Sequence, residues 1–251
     1  MKLLEGKVAI ITGASRGIGK GIAEVFAQHG ANVAFTYSSS VESAMALENE
    51  LNALGIKAKG YQSNAADFNE AQTFVDAVIA EFGTVDILIN NAGISLNKPG
   101  SHLSEKEMND LIDINFKAVF RASQAYYKSH KQIGGNIINI ASVLGLRGFT
   151  LATVYSGTKG AVIQLTLACA AEWIRSGFRL NAICPGFIDT DMVGNMKSKE
   201  ALMEGIKSRI PMGRMGKPEE LLGTAIFLAS DASSYINAQT IVVDGGMTNI
   251  V

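Results

Sequence analysis

The sequence predicts an α/β fold in which a doubly wound parallel sheet of about seven strands is covered by helices on both faces. Short apolar, β-branched runs alternate with helical patterns along all 251 residues. Strands that are buried on both faces read as continuous apolar runs, and parallel neighbours need helical crossovers. No linker or low-complexity tract divides the chain, so we expect one domain spanning residues 1–251.

The alternation places each element in turn. The predicted strands are 8–11, 32–37, 58–62, 85–89, 136–141, 179–183 and 240–243. The first helix carries the apolar stripe Ile18, Ile22, Val25 and Phe26, and the later helices are predicted at 41–54, 68–82, 104–131 (one or two helices), 153–175 and 218–229. Pro218 followed by two glutamates is typical of a helix start. Residues 189–216 are the least regular, which predicts either a mobile lid over a substrate or an ordinary surface excursion.

Composition argues against several classes of function. The net charge of −1 gives no basis for binding nucleic acid or an anionic membrane. The longest apolar runs are far shorter than a membrane span, and the first residues lack the pattern of a signal peptide. Cys169 and Cys184 have no metal-ligand spacing. We therefore expect a cytoplasmic protein with buried free thiols and no metal.

A glycine cluster lies between the first strand and the first helix, at Gly13, Gly17 and Gly19. Glycines let the backbone approach a pyrophosphate, and a helix N-terminus offers free N–H groups to an anion. A tight turn is the alternative, but this position between strand and helix favours a Rossmann-type dinucleotide site.

The end of the second strand predicts which dinucleotide binds. NAD-selective Rossmann domains usually have an acid there, on the ribose 2′-OH. This chain has Tyr37, Ser38 and two further serines instead, and Arg16 adds a cation nearby. The sequence therefore predicts NADP(H) in preference to NAD(H), with binding of both cofactors as the alternative.

Tyr155 and Lys159 stand four residues apart in a predicted helix, and Ser142 lies thirteen residues upstream. Residues i and i+4 share a helix face, so the phenol and the ammonium are expected to point into one pocket. A nearby cation favours the phenolate, so we expect Lys159 to lower the pKa of Tyr155 and make it a proton donor near neutral pH.

Several motifs together resemble the short-chain dehydrogenase/reductase family over essentially the whole chain. These are residues 12–19, the Asn-Asn-Ala-Gly segment 90–93, the order and spacing of Asn115, Ser142, Tyr155 and Lys159, and the turn Pro185-Gly186. The resemblance implies that Tyr155 is the general acid in reduction, that Lys159 binds the nicotinamide ribose and tunes Tyr155, and that Ser142 binds the substrate carbonyl. It implies that Asn115 organises a water-linked proton path.

The same resemblance implies the cofactor contacts. They are Gly13, Ser15, Arg16, Gly17, Ile18, Gly19, Tyr37, Ser38, Asn64, Ala65, Asn91, Ala92, Gly93, Tyr155, Lys159, Pro185, Gly186, Ile188 and Thr190. For some residues a structural role is the alternative. Asn90 and Asn91 would tie the sheet together, and Asn64 would cap a turn.

Different parts of the chain resemble different subfamilies. Residues 1–90, 185–192 and 243–247 resemble 3-oxoacyl-acyl-carrier-protein reductases, whereas residues 94–100 and 151–154 resemble gluconate 5-dehydrogenase-like and other sugar or alcohol dehydrogenases. The leading hypothesis is NADPH-dependent reduction of a 3-oxoacyl thioester, with acyl-carrier protein or CoA as the carrier. Oxidation of a sugar or polyol is the alternative. A non-enzymatic dinucleotide-binding protein is a third hypothesis, although such proteins typically lose the Tyr or the Lys.

The predicted substrate pocket has an apolar wall beside Ser142, which favours an acyl chain or a hydrophobic ketone. Its candidates are Leu144, Leu151, Val154, Phe187, Met192 and Met196, with ordinary core packing as the alternative for several of them. The resemblance also implies a homotetramer in which the helices at 104–131 and 153–175 pair between subunits. The small-residue stripe Ala161, Leu165, Ala168 and Ala171 suits such contact, and burial within one chain would explain it equally.

Overall fold

A parallel sheet of seven strands forms the centre of the protein, whose computed structural model describes residues 2–67, 69–190 and 200–249. The strands are β1 (Val8–Ile11), β2 (Asn32–Tyr37), β3 (Ala58–Gln62), β4 (Ile87–Asn90), β5 (Gly135–Ile140), β6 (Phe178–Pro185) and β7 (Thr240–Val243). They are hydrogen-bonded in the order β3-β2-β1-β4-β5-β6-β7, and every pair is parallel. The order reverses between β1 and β4, so a crevice opens there at the carboxyl ends of the strands.

Helices cover both faces of the sheet, as predicted. They are α1 (Gly17–Gln28), α2 (Val41–Asn52), α3 (Glu70–Phe82), α4 (Glu105–Ile112), α5 (Ala118–His130), α6 (Thr153–Trp173), α7 (Glu200–Lys207) and α8 (Glu219–Ala229). On one face Phe26, Leu47 and Leu221 of α1, α2 and α8 belong to one apolar core. On the other face α3, α5 and α6 supply a second core that includes Tyr126 and Trp173. The single-domain, doubly wound architecture is therefore confirmed.

Most predicted elements form, and the differences have local causes. Strand β4 starts two residues later than predicted, because Val85 bonds side chains instead of a neighbouring strand. Its N–H donates to His130 Nε2 (3.2 Å) and its carbonyl accepts from Tyr126 Oη (3.0 Å). Strand β6 extends to Pro185 because its last residues pair with β7. The segment 104–131 forms α4 and α5, joined by the π-helical turn Asp113–Lys117.

Helix α7 was not expected from the sequence, because its region lacks a long apolar period. Within it Ile206 is buried, and it packs with Ile210 against Phe149 and Phe187. The predicted lid thus contains a helix anchored by apolar contacts. Part of that prediction, at 191–199, lies outside the described residues.

Two further features bear on the composition argument. None of the described helices combines the length and hydropathy needed to cross a bilayer. Cys169 and Cys184 are buried free thiols, as predicted.

Candidate active site

The glycine loop after β1 has the geometry of an anion-binding turn. Gly13 and Gly17 have positive φ angles of 65° and 58°, a conformation that side chains disfavour. Thr36 of β2 fixes the loop, because its Oγ1 accepts from Gly13 N (3.1 Å) and its carbonyl accepts from Ala14 N (3.0 Å). Arg16 precedes α1 without a side-chain cap, and the first turn contains no acid. The N–H groups at this helix start are therefore suited to a pyrophosphate.

The segment after β4 packs directly on this loop. A Cβ on Gly13 would lie 2.8 Å from the Cα of Ala92, so only glycine allows the two backbones to meet. Asn91 Nδ2 donates to the carbonyls of Thr12 (2.9 Å) and Gly13 (3.0 Å). Asn91 therefore ties β4 to β1, as the structural alternative predicted, and it also lines the cavity described below.

Asn90 has a purely structural set of contacts. Its Nδ2 donates to Ser123 Oγ (2.9 Å) and to Asn139 Oδ1 (2.8 Å), and it is almost fully buried. These bonds join β4 to α5 and β5. These contacts match the structural alternative, in which Asn90 ties the sheet together.

The end of β2 presents hydroxyls and one cation. Ser38 and Arg16 are exposed, and Tyr37 is half-buried. The Arg16 guanidinium makes no hydrogen bond or ion pair with any residue that the structure describes. It is therefore available to a phosphate group beside the loop.

The turn after β3 has a local role for Asn64. Its Oδ1 accepts from Ala66 N (3.1 Å), and the side chain is exposed, so Asn64 caps this turn. Ala65 borders a small space that Thr36 and Ala92 also line.

A cavity of about 130 Å³ lies at the carboxyl ends of β4, β5 and β6. It brings together many residues predicted from the sequence: Ile18, Asn91, Gly93, Ser142, Leu144, Tyr155, Lys159, Pro185, Gly186, Phe187, Ile188 and Thr190. The remaining members of its lining include Ser95, Leu96, Asn97 and Ala152. The loop after β6 is held in place because Ile188 bridges to Gly216, and Asp189 N donates to the Gly216 carbonyl (2.8 Å).

Ser142 follows β5 at the edge of this cavity. Its backbone is extended, and its Oγ accepts from Leu144 N (3.1 Å), which caps the short 3-10 turn Val143–Gly145. The side chain is buried, so its orientation is fixed by the turn rather than by solvent. Ser142 can therefore present its hydroxyl proton to a bound oxygen atom.

Tyr155 and Lys159 lie in the first two turns of α6 and line the same cavity. Lys159 Nζ donates to the carbonyl of Ile140 (2.8 Å) and lies 5.9 Å from the centre of the Tyr155 ring. Lys159 is buried, whereas Tyr155 keeps partial exposure toward the cavity. The structure thus brings Tyr155, Lys159 and Ser142 together at one cavity.

The expectation for the pKa of Tyr155 was wrong in sign. Burial raises the pKa of the phenol above its usual value, and a hydrogen bond with Ser142 opposes this shift only partly. Lys159 does not produce the expected lowering; its Nζ lies 5.9 Å from the centre of the Tyr155 ring and donates to the Ile140 carbonyl. Burial lowers the pKa of Lys159 to about 8. Tyr155 is therefore a protonated acid at neutral pH.

Asn115 lies in the π-helical turn between α4 and α5 and is fully buried. Its Oδ1 accepts from Ile94 N (2.8 Å), and its Nδ2 donates to the Ile94 carbonyl (2.9 Å) and to Thr158 Oγ1 (3.3 Å). Single π turns in helices are frequent at functional sites. The amide of Asn115 thus holds the loop after β4 against α6, beside Lys159.

The substrate side differs from the prediction. Leu151 does not line the cavity: it is 38% exposed, and its φ of 65° turns the chain there, which is uncommon for a branched residue. Met192 and Met196 lie outside the described residues. The sequence also missed Ser95 and Asn97, which add polar groups to a wall expected to be apolar. The only sequence signal for them was the departure of residues 94–100 from the reductase pattern.

Comparisons with known proteins agree with this geometry. The family model described as enoyl-(acyl carrier protein) reductase matches residues 13–248. A 2-dehydro-3-deoxy-D-gluconate 5-dehydrogenase from Pseudoalteromonas atlantica is 41% identical over 244 residues, covering 97% of this chain and 96% of that protein. The 3-oxoacyl-[acyl-carrier-protein] reductase FabG of Staphylococcus aureus is also 41% identical, over 242 residues, covering 96% and 98%.

A solved structure extends the comparison to the fold. Gluconate 5-dehydrogenase from Burkholderia cenocepacia, crystallised with NADP and tartrate, superposes with a TM-score of 0.94 at 34% identity, covering 99% of this chain and 97% of that one. Because these relatives are oxidoreductases and both Tyr155 and Lys159 are present, the hypothesis of a non-enzymatic binding protein is not retained. The chain therefore belongs to the short-chain dehydrogenase/reductase family, and it is an oxidoreductase of CH–OH and keto groups.

Proposed function

We propose that this enzyme uses NADPH to reduce a ketone to a secondary alcohol. The observation that carries the proposal is the cavity itself, which Ser142, Tyr155 and Lys159 line together with the loop at Pro185 and Gly186. One wall thus offers two hydroxyl groups to a carbonyl oxygen. Ile18, at the start of the helix that follows the glycine loop, lines the same cavity.

The residues present fit an NADP(H) cofactor. The pyrophosphate would lie at the start of α1, over Gly13 and Gly17, where the N-cap residue Arg16 makes no side-chain hydrogen bond to the first N–H groups. Arg16 and Ser38 would receive the 2′-phosphate, because no acid stands at the end of β2 to repel it. Several similar proteins were solved with NADP or NADPH, among them the gluconate 5-dehydrogenase above.

The bound cofactor supplies the hydride, and the protein handles the proton and the developing charge. Negative charge grows on the carbonyl oxygen as the hydride arrives, and donors already aimed at that oxygen stabilise it. Ser142 and Tyr155 fill this role, and Tyr155 then transfers its proton to the oxygen. The raised pKa of Tyr155 keeps that proton in place until the alkoxide forms. Lys159, with a pKa of about 8, is suited to return a proton to the tyrosinate.

The cofactor preference is tested by Arg16→Gln. Removing a charge-assisted contact should lower kcat/KM for NADPH by about ten-fold or more and leave kcat/KM for NADH nearly unchanged. Steady-state kinetics with both cofactors measures this. Equal losses with NADPH and NADH, or a wild-type preference for NADH, would contradict the proposed role of Arg16.

The leading substrate is a 3-oxoacyl thioester. The apolar part of the cavity wall, formed by Leu96, Leu144 and Phe187, supports an acyl chain. The similarity to the Staphylococcus aureus reductase supports the same class. Oxidation of NADPH in the presence of acetoacetyl-CoA is the direct test. No turnover would remove this substrate class.

A second candidate, a sugar acid, is favoured by a separate observation. Ser95 and Asn97 line the same cavity and offer hydrogen bonds to substrate hydroxyls. Two of the similar proteins carry names of gluconate-type dehydrogenases. Reduction of 5-oxogluconate, or oxidation of gluconate with NADP, would support this class. Failure with both sugar acids, with turnover of the thioester, would exclude it.

We also propose a homotetramer. Within the chain, Ala168 and Ala171 of α6 are exposed, so burial in the monomer does not explain these two members of the small-residue stripe. An exposed strip of alanines lets another helix approach closely. Light scattering at micromolar concentration should give four times the mass of one chain, and a monomer would remove this proposal.

A further inference from the structure

A second cavity opens beside the one that contains Tyr155. Its volume is about 500 Å³, and it shares Val143 and Leu144 with the first cavity. Arg147 lines it from the loop after the 3-10 turn, and Arg209 lines it from the turn after α7. Among the described residues of this lining none is acidic. The cavity therefore carries positive charge next to the carbonyl-binding group.

No described carboxylate is paired with either arginine. Both are exposed, and neither makes an ion pair or a hydrogen bond through its guanidinium group within the described parts of the chain. By contrast, Arg214 is doubly bonded to Glu220. An arginine pair left without carboxylates at the rim of a large cavity is suited to an anionic ligand.

Aromatic contacts hold Arg209 at this position. Its guanidinium carbon lies 5.5 Å from the centre of the Phe149 ring, a cation–π distance. Phe149 packs against Phe187 with ring centres 5.3 Å apart, and Phe187 lines the first cavity. The pair of rings thus connects the cation to the reaction site.

Thr248 adds a buried polar atom without a partner. Only 9% of the residue is exposed, it lines the second cavity, and its Oγ1 has no hydrogen-bond partner in the described structure. Leaving a buried hydroxyl unpaired is unfavourable. An oxygen atom of a bound ligand would supply the missing acceptor.

We propose that Arg147 and Arg209 bind a carboxylate of the substrate, a few bonds from the carbonyl that Tyr155 protonates. The two cavities adjoin at Val143 and Leu144, and the proposal places one short molecule across both. A planar carboxylate also matches the paired donors of a guanidinium. The phosphate of a pantetheine carrier is also an anion that a guanidinium can bind. It lies much farther from the reacting carbonyl than a carboxylate of a short oxo acid does. This inference rests on the proposed ketone reduction and, of its two candidate substrate classes, favours a sugar acid or another oxo acid over the thioester.

Three forms of one ketone test the assignment: acetoacetate, methyl acetoacetate and acetoacetyl-CoA. Arg147→Gln and Arg209→Gln should each raise KM for acetoacetate about ten-fold or more and leave KM for the neutral ester within about two-fold. The same variants are assayed with 5-oxogluconate, so that KM for a sugar acid is measured as well. Equal changes for acid and ester, or a change confined to the CoA thioester, would overturn the carboxylate assignment.

Two further variants separate binding from general damage. Arg175→Gln removes the same charge at the far end of α6, where the residue is exposed, and should leave all three KM values unchanged. Thr248→Val removes the unpaired hydroxyl while keeping the shape. It should raise KM for the acid about three-fold without lowering Tm, because no protein hydrogen bond is lost. A drop in Tm with unchanged KM would contradict the role of Thr248.

A binding assay makes the site testable without turnover. Tartrate should raise the Tm of the wild-type enzyme at low ionic strength, and the double variant of Arg147 and Arg209 should lose this shift. If no ketone is reduced but the arginine-dependent shift persists, the proposed function fails and the anion site stands. If tartrate gives no shift, or the double variant retains it, the anion site is overturned.

Discussion

The two walls of the active-site cavity are held by different kinds of contact. On the cofactor wall, Gly13 and Asn91 are bonded to β2 and β1, so this wall is an extension of the sheet. On the substrate wall, loops are bonded to one another. Lys98 N donates to the carbonyl of Leu151 (3.0 Å), and Gly100 packs directly against Thr153.

This difference explains why the chain resembles two kinds of relative. Groups bonded to the sheet cannot change without disturbing the core, and they fix the type of reaction. The two loops that depart from the reductase pattern, 94–100 and 151–154, contact each other and can vary as a unit. We therefore expect differences in these two loops to contribute to substrate choice.

The largest effect is expected from Tyr155→Phe, at the reaction centre itself. Loss of the proton donor should lower kcat by about 10³-fold, within the range for general acid catalysis. The Kd for NADPH, measured by fluorescence titration, should change little because the glycine loop is intact. A variant that keeps a tenth of the wild-type kcat would show that another group donates the proton.

Next in size is the effect of Gly13→Ala, with Gly17→Ala as its matched control. Both glycines have positive φ angles, but only at Gly13 would the new Cβ meet a backbone atom, 2.8 Å away; at Gly17 the nearest atom is 3.9 Å away. The control should therefore lose about 1 kcal/mol of unfolding free energy, and Gly13→Ala should lose more, about 3 kcal/mol. Urea unfolding measures both losses. Equal losses would mean that the loop is not clamped against Ala92.

A smaller effect, and one that depends on pH, is expected for Lys159→Met. The pKa of this lysine is about 8 in the folded chain, below its usual value of 10.5, so its ammonium form disfavours folding below pH 8. That cost disappears as the pH rises toward 10.5. The variant should be more stable than wild type by about 1–2 kcal/mol at pH 7, with the gain fading at pH 10, and nearly inactive.

Urea unfolding at both pH values measures this difference. A variant that is less stable than wild type at pH 7 would show that the hydrogen bond to Ile140 outweighs the cost of burying the charge. Lys131→Met, at an exposed position after α5, is the control and should show no such pH dependence.

The smallest effect is expected on the substrate wall, for Lys98→Met. Lys98 Nζ donates to both carboxylate oxygens of Glu107 (2.9 and 2.8 Å). Glu107 also forms a capping box with Ser104 at the start of α4. These bonds lower the pKa of Glu107 to about 2. Such a partly exposed pair contributes little to stability. We expect about a three-fold change in KM for the ketone and none in KM for NADPH. Equal changes in KM for the ketone and in KM for NADPH would show that the two walls are coupled.

Much of the fold was predictable because apolar periods and glycine positions are local properties. The strand boundaries at Val85 and Pro185 were missed because they depend on partners distant in sequence, Tyr126 and β7. Asn115 was placed by resemblance. Its role in holding Ile94 became visible only when the π turn brought the two residues together.

The sequence by itself determined the α/β class, the glycine loop and the shared face of Tyr155 and Lys159, because each depends on spacing within one strand, turn or helix. The tertiary structure decided the rest. It raised the pKa of Tyr155, since burial depends on every element packed around the phenol. It also placed Arg147 beside Arg209 at one cavity, since only the folded loops bring these two cations together.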